Sequence, residues 1–194
     1  MSRPRLVLAS GSPRRADLLS ALDLVFTVSP PDIDETPLAG ESAGEYVARL
    51  SAAKSTVGAH GPEAVVIAAD TTVVLDGSIL GKPEDSAEAH AMLRSLSGRA
   101  HEVMTGVSVS LGDRSVTQVV TTLVTFVDLS DADIEWYVGT GEPTDKAGAY
   151  AIQGAGGSFV SGVAGSVSNV IGLPVAETVA LVRSLGVDLA DLRV

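Results

Sequence analysis

Short apolar runs alternate along this chain with stretches in which apolar residues recur at helical spacing, a pattern typical of a mixed α/β protein. In residues 42–57, for example, Tyr46, Val47 and Leu50 lie on one stripe of a helix. The predicted helices are residues 13–22, 42–57, 85–96, 131–138 and 174–185. The predicted strands are residues 5–9, 25–29, 64–69, 72–75, 78–80, 102–111 and 115–127, with a hairpin turn at Asp76-Gly77. No repeat or linker divides the sequence, so residues 1–194 are expected to form one domain.

The segment between the first predicted strand and the first predicted helix carries the most distinctive polar sequence, Ser10-Gly11-Ser12-Pro13-Arg14-Arg15. Ser12 suits an N-cap and Pro13 suits the first helical position. A helix dipole disfavours cations at this end, so two arginines there indicate a bound anion. The alternative is an ordinary capped helix with two solvated arginines.

Asp70 directly follows the apolar run 64–69 and is predicted to stand at the carboxyl end of an interior strand. Ligands of α/β proteins bind outside such ends. A partly desolvated carboxylate there can act as a general base or bind a hard metal ion. The alternative is an Asp that caps a turn with Thr71 and Thr72.

Further carboxylates lie in the acidic loop 30–40, at Asp32, Asp34 and Glu35. Loop carboxylates are usually just solvated, but these could join Asp70 around a magnesium ion. Magnesium takes only one or two carboxylates and completes its shell with water and substrate phosphate.

The charge balance narrows the possible partners. The chain has 24 acidic and 13 basic residues and a net charge of −11, which argues against nucleic acid or an anionic membrane surface as a partner. No stretch is long enough to span a membrane. Cysteine is absent, which excludes disulfides and thiolate metal sites and fits a reducing compartment.

A small polyanion in a local positive pocket stays compatible with this charge. Lysines occur only at Lys54, Lys82 and Lys146, and the other ten basic residues are arginines. A compact ammonium suits a phosphate approached as a point charge, although chance retention would explain the same count.

Two further features leave alternatives open. The glycine-rich segment 148–172 fits either turns or close approach of the backbone to a ligand. His60, His90 and His101 share no metal-ligand spacing, and we interpret them as solvated or locally hydrogen-bonded.

The motifs along the chain also resemble a known family. They are Ala9-Ser10-Gly11-Ser12-Pro13-Arg14-Arg15, Asp34-Glu35-Thr36, Lys54, Ala69-Asp70-Thr71-Thr72-Val73-Val74, Gly81-Lys82-Pro83, Leu96-Ser97-Gly98, Thr105-Gly106-Val107, the run from Glu142 to Gly154, and the run from Gly165 to Pro174. In this order they resemble the Maf family, the septum-formation-associated nucleotide pyrophosphatases. Val167 departs from the family pattern, which usually has Tyr there.

This resemblance implies an elongated mixed β-sheet flanked by helices, similar to that of inosine triphosphate pyrophosphatases. It implies hydrolysis of a nucleoside triphosphate to monophosphate and pyrophosphate, with a divalent metal ion (Mg or Mn), by a cytoplasmic homodimer. By the same resemblance Asp70 is the proton acceptor and binds the metal together with Glu35. The residues implied to bind substrate are Ser10, Arg14, Arg15, Glu35, Lys54, Thr71, Lys82 and Gln153.

The family divides by base. Arg14, Thr71 and Gln153 are similar to the residues at these positions in the branch that acts on dTTP and UTP. A second branch has Trp at the position of Arg14 and an acidic residue at that of Gln153, and it prefers a methylated guanine nucleotide. The Gln153 amide offers a donor beside an acceptor, which complements the edge of uracil or thymine. Two alternatives are a purine triphosphate pyrophosphatase and a nucleotide-sensing regulator of division without turnover.

Overall fold

The computed structural model describes residues 4–57 and 60–193 and confirms a mixed α/β architecture. The strands are β1 (Arg5–Leu8), β2 (Phe26–Val28), β3 (Ala64–Leu75), β4 (Ser78–Leu80), β5 (Ala100–Leu111), β6 (Arg114–Phe126) and β7 (Val160–Ala164). The helices are α1 (Pro13–Ser20), α2 (Ala43–Thr56), α3 (Ser86–Leu96), α4 (Asp131–Gly139), α5 (Val167–Ile171) and α6 (Val175–Ser184). Short 3-10 turns cover Glu142–Asp145, Ala147–Ala149, Ala155–Phe159 and Leu189–Leu192.

The strands form one mixed sheet in the order β2-β1-β3-β5-β6-β7, with β4 paired to β3. Strand β1 is parallel to both of its neighbours, with Leu8 opposite Val28 on one side and Ile67 on the other. The β3–β4 and β6–β7 pairs are antiparallel. The parallel part of the sheet therefore has a carboxyl edge just beyond Leu8 and Ile67.

The chain divides into two compact units, each with its own apolar core. The first unit comprises Met1–Asp70, Thr105–Val120 and Gly172–Val194, and the second comprises Thr71–Met104 and Thr121–Ile171. Aliphatic residues from β1, β3, β5 and α6 fill the first core. The second core contains the aromatic residues Phe126, Tyr137, Tyr150 and Phe159. That the whole chain acts as one domain stays a prediction.

Strand β3 corrects the expected position of Asp70. The two predicted strands 64–69 and 72–75 are one strand, Ala64–Leu75, because Asp70 and Thr71 continue the extended backbone between them. The predicted pairing of its end with β4 is present at Val73–Leu75. Asp70 therefore lies inside a long strand, three residues beyond Ile67, the last residue of β3 in register with β1. It still lies beyond the carboxyl edge of the parallel pair.

Other boundaries differ modestly from those predicted. Helix α1 ends at Ser20 instead of residue 22, because the chain turns and Asp23 takes a left-handed conformation with φ of 58°. The glycine-rich segment contains strand β7 and helix α5, neither of which was predicted. No helix in the described parts of the chain combines the length and apolar character needed to cross a bilayer.

Candidate active site

The loop between β1 and α1 has the predicted geometry. Ser10 is buried, and its Oγ accepts hydrogen bonds from the backbone N–H of Ser12 at 3.2 Å and from Arg15 Nη1 at 3.0 Å. Arg15 Nε also donates to the carbonyl of Gly172 at 2.8 Å. Ser12 occupies the N-cap position without a side-chain cap bond, and the first turn of α1 holds no acidic residue. A serine and a guanidinium are thus fixed beside the amino end of α1, as an anion site requires.

Burial of Arg15 dominates the electrostatics of this loop. Burial lowers the pKa of Arg15, and the neighbouring Arg14 lowers it further, whereas Asp70 and Glu35 oppose the shift. The guanidinium stays charged because its pKa starts far above neutrality. Two cations close together, one of them in a poorly solvated position, favour an anion as a third partner.

Asp70 and Lys54 form a buried ion pair. Lys54 Nζ lies 2.6 Å from Asp70 Oδ1, and both residues are 7% exposed. The same ammonium lies 2.6 Å from Glu35 Oε1, whose side chain is half exposed. Burial raises the pKa of Asp70 even though Lys54 and Arg15 lower it. Asp70 is therefore a carboxylate of raised basicity, as a general base requires.

Helix α2 is placed so that Lys54 reaches Asp70. A Cβ atom on Gly106 of β5 would lie 2.1 Å from the carbonyl oxygen of Val47, so only glycine lets the helix come this close. One turn before Lys54, Ser51 Oγ accepts a hydrogen bond from Ser108 Oγ at 2.9 Å. One residue after it, the Ser55 carbonyl accepts from Ser110 Oγ at 2.9 Å. These contacts fix the height and rotation of the helix on the strand.

The acidic loop is anchored on the same helix. Tyr46 donates its hydroxyl to the carbonyl of Glu35 at 3.1 Å, and Arg49 donates to the carbonyl of Thr36 at 3.2 Å. Arg49 also binds both carboxylate oxygens of Glu41, at 2.6 and 2.7 Å, and this pairing lowers the pKa of Glu41 to about 2. These anchors were not predicted from the sequence, although the spacing of Tyr46 and Arg49 places both on one face of α2.

The predicted carboxylates behave differently from one another. Glu35 is brought to Lys54 and hence close to Asp70. Asp34 is exposed, and its carboxylate accepts the N–H of Thr36 at 2.9 Å in a local turn. Asp32 is also exposed. The structure therefore brings together one of the three loop carboxylates with Asp70.

Asp70 and Glu35 are the candidate ligands for a divalent metal ion. Within residues 4–57 and 60–193, no group of three or more His, Cys, Asp and Glu side chains could hold a metal ion. Asp70 and Glu35 do converge on one ammonium, and magnesium needs only one or two carboxylates when substrate oxygens complete its shell. The two residues fit such an ion, whose binding stays a prediction.

Three predicted residues belong to the second unit. Thr71 directly follows Asp70 on β3 and is partly buried, and Lys82 is exposed between Gly81 and the buried Pro83. Gln153 is exposed next to a turn in which the Gly154 N–H donates to the Ala151 carbonyl at 3.2 Å. Their roles toward a nucleotide stay predictions.

His101 is buried and locally hydrogen-bonded, one of the two alternatives expected. Its Nε2 lies 2.8 Å from the hydroxyl of Tyr150, and burial lowers the pKa of His101 to about 4. A neutral, enclosed imidazole of this kind packs against the rings of Phe126 and Tyr150 in the second unit.

Comparison with known proteins shows the family to which the chain is related. The family model of Maf-like proteins matches residues 5–185. A protein of Myxococcus xanthus named dTTP/UTP pyrophosphatase is 58% identical over 185 residues, which cover 95% of this chain and 94% of that protein. Proteins of the same name from Anaeromyxobacter dehalogenans and Shewanella denitrificans are 56% and 50% identical over 94% and 92% of this chain, and each match covers 95% of the relative. A HAM1 protein from Coxiella burnetii, known as a solved structure, is 18% identical, with a TM-score of 0.43 over 77% of this chain and 88% of that chain.

Proposed function

The chain belongs to the Maf family, and we propose that it hydrolyses dTTP and UTP to the nucleoside monophosphate and pyrophosphate. Relatives named for this activity match it over nearly their whole length at 50–58% identity. Within the structure, the observation that carries the proposal is the buried Asp70–Lys54 pair in the same unit as the Ser10–Arg15 loop. The pair supplies a general base, and the loop supplies a binding site for phosphate.

The cations of the first unit bind the triphosphate in this proposal. Ser10, Arg14 and Arg15 hold phosphate oxygens at the amino end of α1, where backbone N–H groups also point. Lys54 neutralises the charge that develops around the α-phosphorus as the bond to the leaving group lengthens. Because Arg15 is already held by Ser10 and Gly172, it needs little reorganisation to bind substrate.

Asp70 acts as the general base. It accepts a proton from the attacking water, whose oxygen bonds to the α-phosphorus while the bond from that phosphorus to the bridging oxygen breaks. The bridging oxygen leaves with pyrophosphate. Burial raises the pKa of Asp70, which improves the proton transfer, and Lys54 keeps the carboxylate oriented at 2.6 Å.

Asp70 and Glu35 would hold the divalent ion, Mg or Mn. When bound, the ion neutralises phosphate charge. Lys54 touches both carboxylates and keeps them together before substrate arrives. This reduces the repulsion that two neighbouring carboxylates would otherwise feel.

Base selection is assigned to Gln153, whose amide matches the N3–H and carbonyl of uracil or thymine. Arg14 and Thr71 complete the pattern of the dTTP/UTP branch, and Lys82 adds a cation for phosphate. The homodimer, the cytoplasmic location and the link to septum formation are proposed from the family resemblance alone.

Hydrolysis in ¹⁸O-labelled water tests the reaction. UTP, dTTP, CTP, ATP, GTP and ITP are each incubated with Mg or Mn, and the products are separated and weighed by mass spectrometry. We expect pyrophosphate to form, with the label in the monophosphate, because water attacks the α-phosphorus. Diphosphate plus orthophosphate, or label in pyrophosphate, would refute this reaction.

Asp70→Asn tests the base. It should fold and bind nucleotide but lose turnover by about two to four decades. The matched control is Asp113→Asn, the same chemical change at an exposed turn of the first unit. Near-normal turnover in Asp70→Asn would remove Asp70 from catalysis.

A further inference from the structure

The loop that carries Gln153 is held from within by two side chains of the second unit. The hydroxyl of Tyr137 accepts a hydrogen bond from the Ala151 N–H at 3.1 Å and donates one to Glu142 Oε1 at 2.6 Å. The Glu142 carboxylate also accepts the N–H groups of Ala155 at 3.0 Å and Gly156 at 3.1 Å. Tyr137 thus binds the chain two residues before Gln153, and Glu142 binds it two and three residues after.

Tyr137 and Glu142 together form a clamp on this loop, and both side chains are themselves held in place. Tyr137 is fully buried on α4, and its ring packs edge-on against Phe159 with centroids 5.0 Å apart. Burial raises the pKa of the Tyr137 hydroxyl well above its ordinary range. Burial also raises the pKa of Glu142, but its hydrogen bonds from Tyr137, Gly156 and Ala155 outweigh this and leave it lowered. A neutral phenol therefore donates to a charged carboxylate, the strong form of hydrogen bond.

Two glycines leave room for this clamp. A Cβ atom on Gly154 would lie 2.2 Å from Glu142 Oε2, and one on Gly156 would lie 2.6 Å from the Tyr137 hydroxyl. The close backbone approach that the glycine-rich sequence suggested is therefore made here to side chains of the protein itself. The hydrogen bonds of the clamp therefore require glycine at both positions, because any larger residue would collide with Glu142 or Tyr137.

We propose that Tyr137 and Glu142 are positioning residues for base specificity, which fix the backbone on both sides of Gln153 so that its amide can tell uracil and thymine from purines. This inference rests on the proposed role of Gln153. Discrimination by hydrogen bonding depends on donors and acceptors held in place, because a mobile amide adapts to the wrong base. The exposed Gln153 side chain gains that rigidity from its backbone.

The test compares kcat/KM for UTP and GTP in the parent, in four single variants and in one double variant. Tyr137→Phe removes the hydroxyl, and Glu142→Gln replaces one acceptor oxygen by a donor that faces backbone N–H groups. Each should lower the UTP:GTP ratio by about tenfold. The matched control is Tyr150→Phe, which removes a buried hydroxyl that bonds His101 instead of the loop, and it should leave the ratio unchanged.

Gln153→Ala supplies the reference for lost base reading. In that background, adding Tyr137→Phe should change the UTP:GTP ratio no further, because Tyr137 acts only through the contact between the Gln153 amide and the base. A merely structural role would lower the melting temperature of Tyr137→Phe and Tyr150→Phe without moving the ratio. If Tyr137→Phe does not fold, Glu142→Gln decides, since Glu142 is only partly buried.

The outcomes separate the two proposals. A parent that hydrolyses UTP and GTP equally overturns both base selection and its positioning. A parent with a clear preference that is lost in Gln153→Ala but kept in both clamp variants overturns the positioning alone. An equal further loss from Tyr137→Phe in the Gln153→Ala background would also overturn it.

Discussion

Replacing Lys54 by methionine isolates the electrostatic role of the buried pair. Methionine matches the lysine side chain up to Cε and lacks the ammonium group, so Asp70 loses the charge at 2.6 Å. An opposite charge this close lowers a carboxyl pKa by about 1–3. Without it, the pKa of Asp70, already raised by burial, should rise by that amount, with Arg15 left as the nearby cation.

The magnitude follows from linkage. A change of one in pKa corresponds to about 1.4 kcal/mol, so the variant should lose about 1–4 kcal/mol of stability through this group when Asp70 is ionised. Removal of a buried charge partner typically costs about 3–5 kcal/mol. The expected loss with Asp70 ionised is smaller because Arg15 remains as a nearby cation, and the loss falls further at pH values where Asp70 takes a proton.

The sign of the pH dependence is fixed by the same argument. Unfolded Asp70 titrates near its ordinary value of 3.8, and the folded carboxyl titrates above it. The folded state therefore binds more protons between these values, and its stability falls as pH rises through them. The deficit of Lys54→Met relative to the parent should be smallest at low pH, where Asp70 is protonated in both proteins, and grow as pH rises.

Urea unfolding at pH 5 and pH 8 measures this deficit without substrate. Arg99→Met serves as the control, because its partner Asp76 is 70% exposed in the side chain and such pairs contribute about 0–1 kcal/mol at either pH. A Lys54→Met deficit that is the same at both pH values would refute the reasoning. As a second readout, the acidic limb of kcat for UTP should move up by about 1–3 pH units.

Two further changes test the packing of each unit by urea unfolding. Gly106→Ala should destabilise the protein by about 1–3 kcal/mol, because the new methyl meets the backbone of Val47 at 2.1 Å; Gly44→Ala, which meets nothing within 4 Å, is the control, and equal midpoints for the two would contradict the close helix approach. In the parent, the free energy of unfolding should fall by about 2 kcal/mol between pH 7.5 and 5, because the folded imidazole titrates near 4 and the unfolded one near 6.5. In His101→Phe this fall should be absent. Stability then falls as pH drops through that window in the parent, and an unchanged slope in the variant would show that another group is responsible.

Local signals explain what the sequence predicted well. The helix start after Ser10–Ser12 follows from the preference of proline for the first helical position, and the structure has Pro13 there. Ser12 occupies the expected N-cap position but makes no side-chain cap bond. The hairpin at Asp76-Gly77 likewise has Asp76 with φ of 50° and Gly77 with φ of 78°. Such features depend on a few neighbouring residues and are visible without the fold.

Features set by distant contacts were not visible in the same way. The predicted end of a strand at Ala69 was wrong, because residues 70 and 71 join the two predicted strands into one. That strand lies in the sheet between β1 and β5, and neither pairing is visible from the local sequence. The Tyr137–Glu142 clamp joins residues up to 14 positions apart with no repeating period. The family resemblance placed Lys54 and Asp70 in one site, but their ion pair was not predicted, since nothing in a spacing of 16 residues indicates contact.

The first unit is completed by the part of it that is made last. Val25 donates its N–H to the carbonyl of Leu192 at 2.9 Å, and Leu24 pairs with Arg193. At about 5–20 residues per second, a ribosome needs roughly 10–30 s to add the residues that separate these partners. Until then the backbone of Leu24 and Val25, just before β2, lacks these partners, and unpaired backbone groups beside a strand invite pairing with other chains. The speed at which the second unit is translated therefore sets how long each nascent chain is exposed to aggregation, independently of how stable the finished protein is.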